Sequence, residues 1–524
     1  MPRFIKIIIL ILVFIRPFTS GVSGPSSNWF ILIILFLLFL LCLVRIILKK
    51  EILYSSSLDL PLFLFAIAII VGIFNSFSKN EAITQGFIFL SYFLLYFLVI
   101  HYPPSENKAR ISILLSCFLV SCYGIYQSLF GLAQTREFIQ FYKLPDEFLG
   151  RASNKVFSTF IYPNAFAGYL VLVLPLAISL IFNLKKKFHL LLFCSSALLL
   201  LYSLYLTGSR GGFISFFFSL FLFFILRRKR ILIILSLFLF LFVLIHYSIP
   251  PPSSLIARLG YARASLKIIR DNPAGTGIST FASMYFKYKL ASEEETRMAH
   301  NNYLQIGVEL GIFGLLAFIF LLVFIAIKGL NIARKNRNLE GYYIGSFAFF
   351  FHSIVDFDLY LPEITFIFFF FLGILFSFEK NEKKTSRLFA LILIIPVIYL
   401  CFYSYKMMKA ASLYEKAMDY IFTNEYVLAE KNLENAINLN KNPEWLITLG
   451  RLKEEKDPDY SLKLYRMAIE ENPNFPYYNY CIARVLIKKG RNKEAIFFLK
   501  RASKFYPTNP IYRMCLDNLL TELQ

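Results

Sequence analysis

Residues 29–44 read WFILIILFLLFLLCLV, a stretch with no charge, no glycine and no proline. Crossing the roughly 30 Å hydrocarbon core of a bilayer takes about 20 helical residues. This run reaches that length by about residue 48. Thirteen runs of this kind are read along the chain, at roughly 5–20, 29–48, 60–77, 83–100, 111–131, 164–183, 188–206, 211–226, 231–249, 303–327, 341–356, 361–378 and 388–405. Composition points the same way: of 524 residues, 57% are apolar and only 17% charged, and mean hydropathy is +0.60. Soluble domains are nearer one quarter charged. A water-soluble enzyme is thereby excluded, and the expected fold is an all-α, polytopic membrane protein of about 12–13 spans.

The net charge of +22 would suggest nucleic acid in a soluble chain. Its placement argues otherwise. Residues 406–524 hold 19 basic and 15 acidic side chains, leaving +18 among the hydrophobic segments, where basic flanks set topology. Arg45/Lys49/Lys50, Lys108/Arg110, Lys185–Lys187, Arg227–Arg230, Lys328/Arg334/Lys335/Arg337 and Lys380/Lys383/Lys384/Arg387 fall in alternate loops; the short loops between them are nearly free of Lys and Arg. The positive-inside rule then predicts a cytoplasmic N-terminus and, after thirteen spans, an extracytoplasmic C-terminal tail. The first run is broken by Arg16-Pro17 and followed by small residues, as in a cleaved signal peptide. Its removal would leave every later segment in the same orientation. The seven Cys form no CxxC or Cys/His pair at metal-ligand spacing. Span centres nearly lack ionisable residues, which counts against an ion-coupled transporter.

From Lys406 the composition turns to mixed charge with helical periodicity, giving a membrane domain over 1–405 and a second domain over 406–524. Pro443, Pro473 and Pro507 recur behind amphipathic helices, with Ala483, Gly490, Ala495 and Ala502 at close-packing positions. This tail resembles tetratricopeptide repeats, an extracytoplasmic α-solenoid that could hold a protein partner. Cys481 and Cys515 occupy equivalent positions of successive units, too far apart for a disulfide if the helices stack 8–10 Å apart.

Chemistry is expected in the two long outward loops, about 132–162 and 250–302. Only His300, of the five His, lies in one, just before a span. A lone His is usually an interfacial hydrogen-bonding residue, but this one has company. Arg210 sits in Ser209-Arg210-Gly211-Gly212, a turn in which a guanidinium can approach a ligand closely and grip a phosphate bidentately. The bland alternative is a snorkelling Arg, weaker here because short outward loops otherwise avoid basic residues. Arg258 and a basic amphipathic helix precede Asp271-Asn272-Pro273-Ala274-Gly275-Thr276-Gly277 in the large loop. Arg151 and Tyr162-Pro163-Asn164 stand at the mouth of another span.

In order, Pro163-Asn164, Ser209-Arg210-Gly211, Arg258…Asp271-x-Pro273-x-Gly275-x-Gly277…Phe281, His300-Asn301-x-x-Leu304…Glu309-x-Gly311 and His352-Ser353-x-x-Asp356 resemble the O-antigen ligase/polymerase superfamily of membrane glycosyltransferases. The resemblance covers about residues 60–380 and departs at Ala262, where the family commonly has Trp. It implies transfer of a glycan from an undecaprenyl-pyrophosphate carrier to an acceptor hydroxyl, outside the cytoplasmic (inner) membrane of a bacterium. The acceptor would be lipid A–core for a ligase, a growing glycan for a polymerase, or a protein hydroxyl for an oligosaccharyltransferase. In this reading His300 is the catalytic base, Arg210 and Arg258 bind the donor pyrophosphate, and Arg151, Asn164, Asn301 and Asp356 support them. No cofactor and no metal are expected, since neither long loop has a convincing Asp-x-Asp pair.

Overall fold

The computed structural model describes residues 2–19, 24–48, 53–134, 155–183, 187–248, 253–383 and 387–522. Each apolar run is a helix. They are α1 (Pro2–Ile15), α2 (Pro25–Ile47), α3 (Asp59–Asn75), α4 (Lys79–His101), α5 (Glu106–Tyr126), α6 (Pro163–Ile181) and α7 (Lys187–Thr207). Then come α8 (Arg210–Leu226), α9 (Arg230–Ser248), the loop helices α10 (Ser253–Asp271) and α11 (Phe281–Tyr288), and the long α12 (Asn302–Lys335). The set closes with α13 (Glu340–His352), α14 (Pro362–Phe376) and α15 (Arg387–Phe422). Seven of the helical segments among the described residues are long and apolar enough to cross a membrane, and four more apolar helices, among them α3 and α8, are shorter. The remaining two, α1 and α13, have 14 and 13 residues.

Burial separates core helices from lipid-facing ones. Every residue of α14, PEITFIFFFFLGILF, is buried, as expected of a helix apolar on all sides. α6 is nearly as enclosed and packs against α13. By contrast α9 leaves Ile231, Ile234 and Phe238 exposed, a surface that only lipid or another apolar partner can cover.

The polar contacts sort the loops into two sets. On one face Tyr54 N donates to His101 Nε2, Arg110 reaches the Asn338 carbonyl, and Lys335 pairs with Glu379. Here β1 (Leu53–Ser55) and β2 (Asn381–Lys383) also form a short antiparallel ribbon with Tyr54 opposite Glu382. On the other face Thr159 donates to the Pro17 carbonyl, Ser76 to that of Ile278, and Ser26 to Glu415. The first set holds the lysine- and arginine-rich loops. The second holds the loops poor in them together with residues 253–302.

Beyond α15 the tail continues as α16 (Tyr426–Leu439), α17 (Pro443–Lys453), α18 (Pro458–Glu471), α19 (Pro476–Lys488), α20 (Asn492–Phe505) and α21 (Pro510–Glu522). Each packs on the next, around Leu446, Tyr465, Ile482 and Leu499. α15 runs unbroken through the compositional change at Lys406, so the tail is joined to the last apolar helix by continuous helix.

The tail also lies against the large loop. Tyr506 stacks on Phe286 with centroids 4.9 Å apart, accepts from Lys289 Nζ at 3.1 Å and donates to Glu295 at 2.6 Å. Arg297 pairs with Glu444 of α17.

Candidate active site

The loop that joins α13 to α14, residues 353–361, gathers the motifs that the sequence spreads over the chain. Its centre is Asp356, whose carboxylate is fully buried. Oδ1 accepts from the backbone N–H of Phe357 at 2.9 Å and from the hydroxyl of Tyr162 at 3.0 Å. The same oxygen stands 3.4 Å from Nδ1 of His300, an ion-pair distance rather than a close hydrogen bond. In ligand-free sites such contacts are often long and tighten when substrate arrives.

His300 owes its position to the start of α12. Asn301 is the N-cap and accepts from Leu304 N at 3.0 Å, while Asn302 donates twice to Ser353, through its backbone N–H and its side-chain amide, both at 2.8 Å. His300 itself has φ +47, a left-handed conformation that non-glycine residues adopt at a cost of about 1–3 kcal/mol and that concentrates at functional sites. The ring stacks on Tyr261 at 5.6 Å and meets Phe357 edge-on at 4.9 Å, which leaves the side chain about a quarter exposed.

Arg258, on α10, donates from Nε to the carbonyl of Val355 at 2.9 Å. That contact holds its guanidinium at the loop of Asp356, close enough to act on that carboxylate electrostatically. The Arg210 turn approaches from the other side. Ser209 caps α8 by accepting from Gly212 N at 3.2 Å, and a Cβ on Gly211 would lie 2.6 Å from Val355 Cγ2. Arg210 is exposed at the first position of the helix. An exposed guanidinium beside helix N–H groups is suited to an anion.

The glycines of the large loop have a packing reason. α12 is kinked at Gly311, with φ +71, and the turn segment 273–277 packs into the break. Thr276 N and Gly277 N donate to the carbonyls of Val308 and Glu309, both at 2.9 Å, and Ile312 N donates to that of Pro273. A Cβ on Gly275 would sit 2.5 Å from Gly311 N, and one on Gly277, with φ +98, would be 2.2 Å from Ser76 Cα. No side chain fits there. The segment that leads to His300 is held separately: Arg263 makes two 2.8 Å bonds to Glu293, which also accepts from Leu290 N. Partial burial pushes the Glu293 carboxyl up, but these hydrogen bonds outweigh it and hold the group below its ordinary value.

Of the residues expected at the site, His300, Arg258 and Asp356 come together, and the Arg210 turn abuts the same loop. Asn301 is taken up in capping α12. Asn164 stands at the second position of α6, where the contact to Asp356 is made by Tyr162. Arg151 lies outside the described residues. The sequence reading missed Tyr162 as a ligand of Asp356, although it stood inside a quoted stretch, and missed Asp358. The latter accepts from or donates to His352 Nδ1 at 2.6 Å inside the helix layer and carried no separate signal.

A family model described as O-antigen ligase matches residues 195–319, from within α7 through Arg210, Arg258 and His300 to the first half of α12. No curated protein matches the chain. The family match supports a membrane glycosyltransferase of the ligase or polymerase type. Asp356 and the C-terminal helices lie outside the matched residues.

Proposed function

We propose that the chain moves a glycan from undecaprenyl pyrophosphate to the hydroxyl of an acceptor, lipid A–core or a similar saccharide, on the extracytoplasmic face of the inner membrane. The observation that carries this reading is the convergence of His300, Arg258 and the Arg210 turn on one short loop built around Asp356. Such an arrangement pairs a proton acceptor with two guanidiniums, the groups that the transfer needs.

In this reading His300 takes the acceptor hydroxyl's proton as that oxygen bonds to the anomeric carbon. The bond from that carbon to the pyrophosphate breaks, and its electron pair leaves with the lipid carrier. Asp356, 3.4 Å from the ring, stabilises the imidazolium so formed. Arg258 and Arg210 offset the charge growing on the pyrophosphate, a task for which the planar guanidinium fork suits better than an ammonium. No metal is required by this scheme. The orientation follows from charge: the loop set rich in Lys and Arg is cytoplasmic, which places residues 253–302 and the tail outside. The tail's helical pairs are read as tetratricopeptide-like repeats.

The experiment is transfer by the purified protein from an undecaprenyl-pyrophosphate glycan to lipid A–core, with Arg258→Ala and Asp356→Asn beside the unaltered chain. Turnover that falls in both variants supports the assignment; turnover unchanged in both removes the cluster from the reaction.

A further inference from the structure

A cavity of about 360 Å³ lies between the tail and the layer that carries the site. Small-molecule sites run from about 300 to 1,000 Å³. The tail provides one side of it, through Asn442, Glu444, Asn472, Phe475 and Tyr478. Gln85 of α4, Phe281 of α11, Glu309 of α12 and Tyr360 form much of the other. Arg297 and Met298 also line it, and His300 is two residues further along the chain.

Charge decides what this cavity can hold. Among the described residues that line it, Arg297 is the only cation, and it is paired with Glu444. Three carboxyl groups, of Glu81, Glu309 and Glu444, line the same cavity. Glu309 accepts from Gln305 and Tyr360, each at 2.8 Å, and Glu81 accepts from Ser78 at 2.5 Å. A phosphate would find the cavity's one guanidinium already taken by Glu444, whereas Arg258 and Arg210 stand at the neighbouring cluster. The remaining polar groups are neutral. The amides of Gln85 and Asn472 can each donate and accept, and Asn442 keeps its amide donors while its Oδ1 caps α17. Phe281, Phe475 and Tyr478 add flat apolar surface between them. Amides interleaved with aromatic rings and no available cation match a neutral ring bearing hydroxyls on its edge and C–H groups on its face.

We infer that this cavity binds one neutral sugar ring of the acceptor and that the C-terminal helices are half of that subsite. The acceptor role rests on the proposed function; the sugar site itself does not. The tail is thereby part of substrate recognition rather than an appended module.

The test uses the full chain in detergent and saturation-transfer NMR with N-acetylglucosamine, with glycerol and inorganic phosphate as comparison ligands. N-acetylglucosamine should receive saturation, and phosphate should not displace it. Gln85→Leu and Tyr478→Leu, on opposite walls, should each weaken the binding about tenfold, the effect of losing one or two ligand contacts. Gln85→Leu should melt with the parent, and Tyr478→Leu, at a buried position of the tail, is compared with it below its own lower transition. His300→Ala and Arg258→Ala should bind the sugar as before. In transfer assays Gln85→Leu should raise KM for the acceptor about tenfold with kcat within about twofold. Sugar saturation no greater than that of glycerol, or binding that survives both wall variants, would overturn the site. Sugar binding with no transfer by any preparation would leave the site standing and overturn its acceptor role.

Discussion

His300 Nδ1 and Asp356 Oδ1 stand 3.4 Å apart, one at the start of α12 and the other in the loop after α13. Two hydrogen bonds on the same oxygen, from Tyr162 and the backbone of Phe357, fix the carboxylate before the imidazole meets it. The acid is thus positioned by the protein, and the His by its strained backbone and its two aromatic neighbours. Asp356→Asn should keep the shape of this cluster and lose the charge that steadies an imidazolium. Its kcat should drop by about 10²-fold or more with the acceptor KM little changed. An Asn variant with full turnover would leave Asp356 a structural residue.

Arg258 reaches the same loop by donating to Val355. Arg258→Ala should cost about 10²–10³ in rate, roughly 3–4 kcal/mol, if its guanidinium offsets charge on the leaving pyrophosphate. Arg210→Lys should also be poor, since a point charge cannot reproduce the bidentate fork. Near-normal rates in Arg210→Lys would reduce Arg210 to a generic positive charge. Single-turnover rates on protein recovered in equal amounts from the membrane decide the matter.

Gly277→Ala tests the packing of the loop into the kink of α12. At φ +98 the strain alone costs about 1–3 kcal/mol, and the added Cβ would collide with the backbone of Ser76. The variant should melt several degrees lower in detergent, or fail to accumulate. A thermal transition equal to the parent's would mean that the segment packs elsewhere.

The sequence made the helices legible because thirteen apolar runs leave the chain few alternatives, and each of them is helical. It made His300 legible as the one His in a long outward loop and Arg210 because short outward loops otherwise avoid basic residues, whereas Arg258, among other cations of its loop, was picked out only by its place in the ordered motifs. What it could not show was the meeting of distant segments. Tyr162 precedes α6 and Asp356 follows α13, and nothing local in either stretch announces the other. The glycines at 275 and 277 read as a turn, whereas the constraint on them comes from Ser76 and from the kink at Gly311. Arg16 looked like an interruption of the first run; it is buried, donating to Asn28 at 2.5 Å. The compositional change at Lys406 falls within α15, which is continuous there.

The pairing of Arg263 with Glu293 gives the loop a dependence on pH. A carboxyl whose folded pKa lies below its unfolded value, about 4.3 for Glu, stabilises the fold above that value and loses the contribution as pH falls through the lowered one. Residues 287–297 should therefore exchange backbone hydrogen faster at acid pH, after correction for the intrinsic rate. In Arg263→Met the exchange should be fast throughout. An Arg263→Met loop as protected as the parent's at neutral pH would show that the tail contacts at Tyr506 and Glu444 suffice.

Reporter fusions after Arg230 and Arg337 should report cytoplasm, and fusions after Ala291 and Gln524 the exterior, as the basic loops require. A cytoplasmic Gln524 would contradict the thirteen crossings expected from the apolar runs and separate the tail from the proposed extracytoplasmic site.

In the proposed reaction His300 accepts the acceptor's proton without help from a metal. The direct measurement is transfer by purified protein from undecaprenyl-pyrophosphate glycan to lipid A–core, in EDTA, for the parent chain, His300→Ala and His189→Ala. The parent and His189→Ala should stay active while His300→Ala falls by about 10²–10⁴, the usual cost of losing a general base. Full activity in His300→Ala, or a parent activity abolished by EDTA and restored by Mg²⁺ or Mn²⁺, would contradict it.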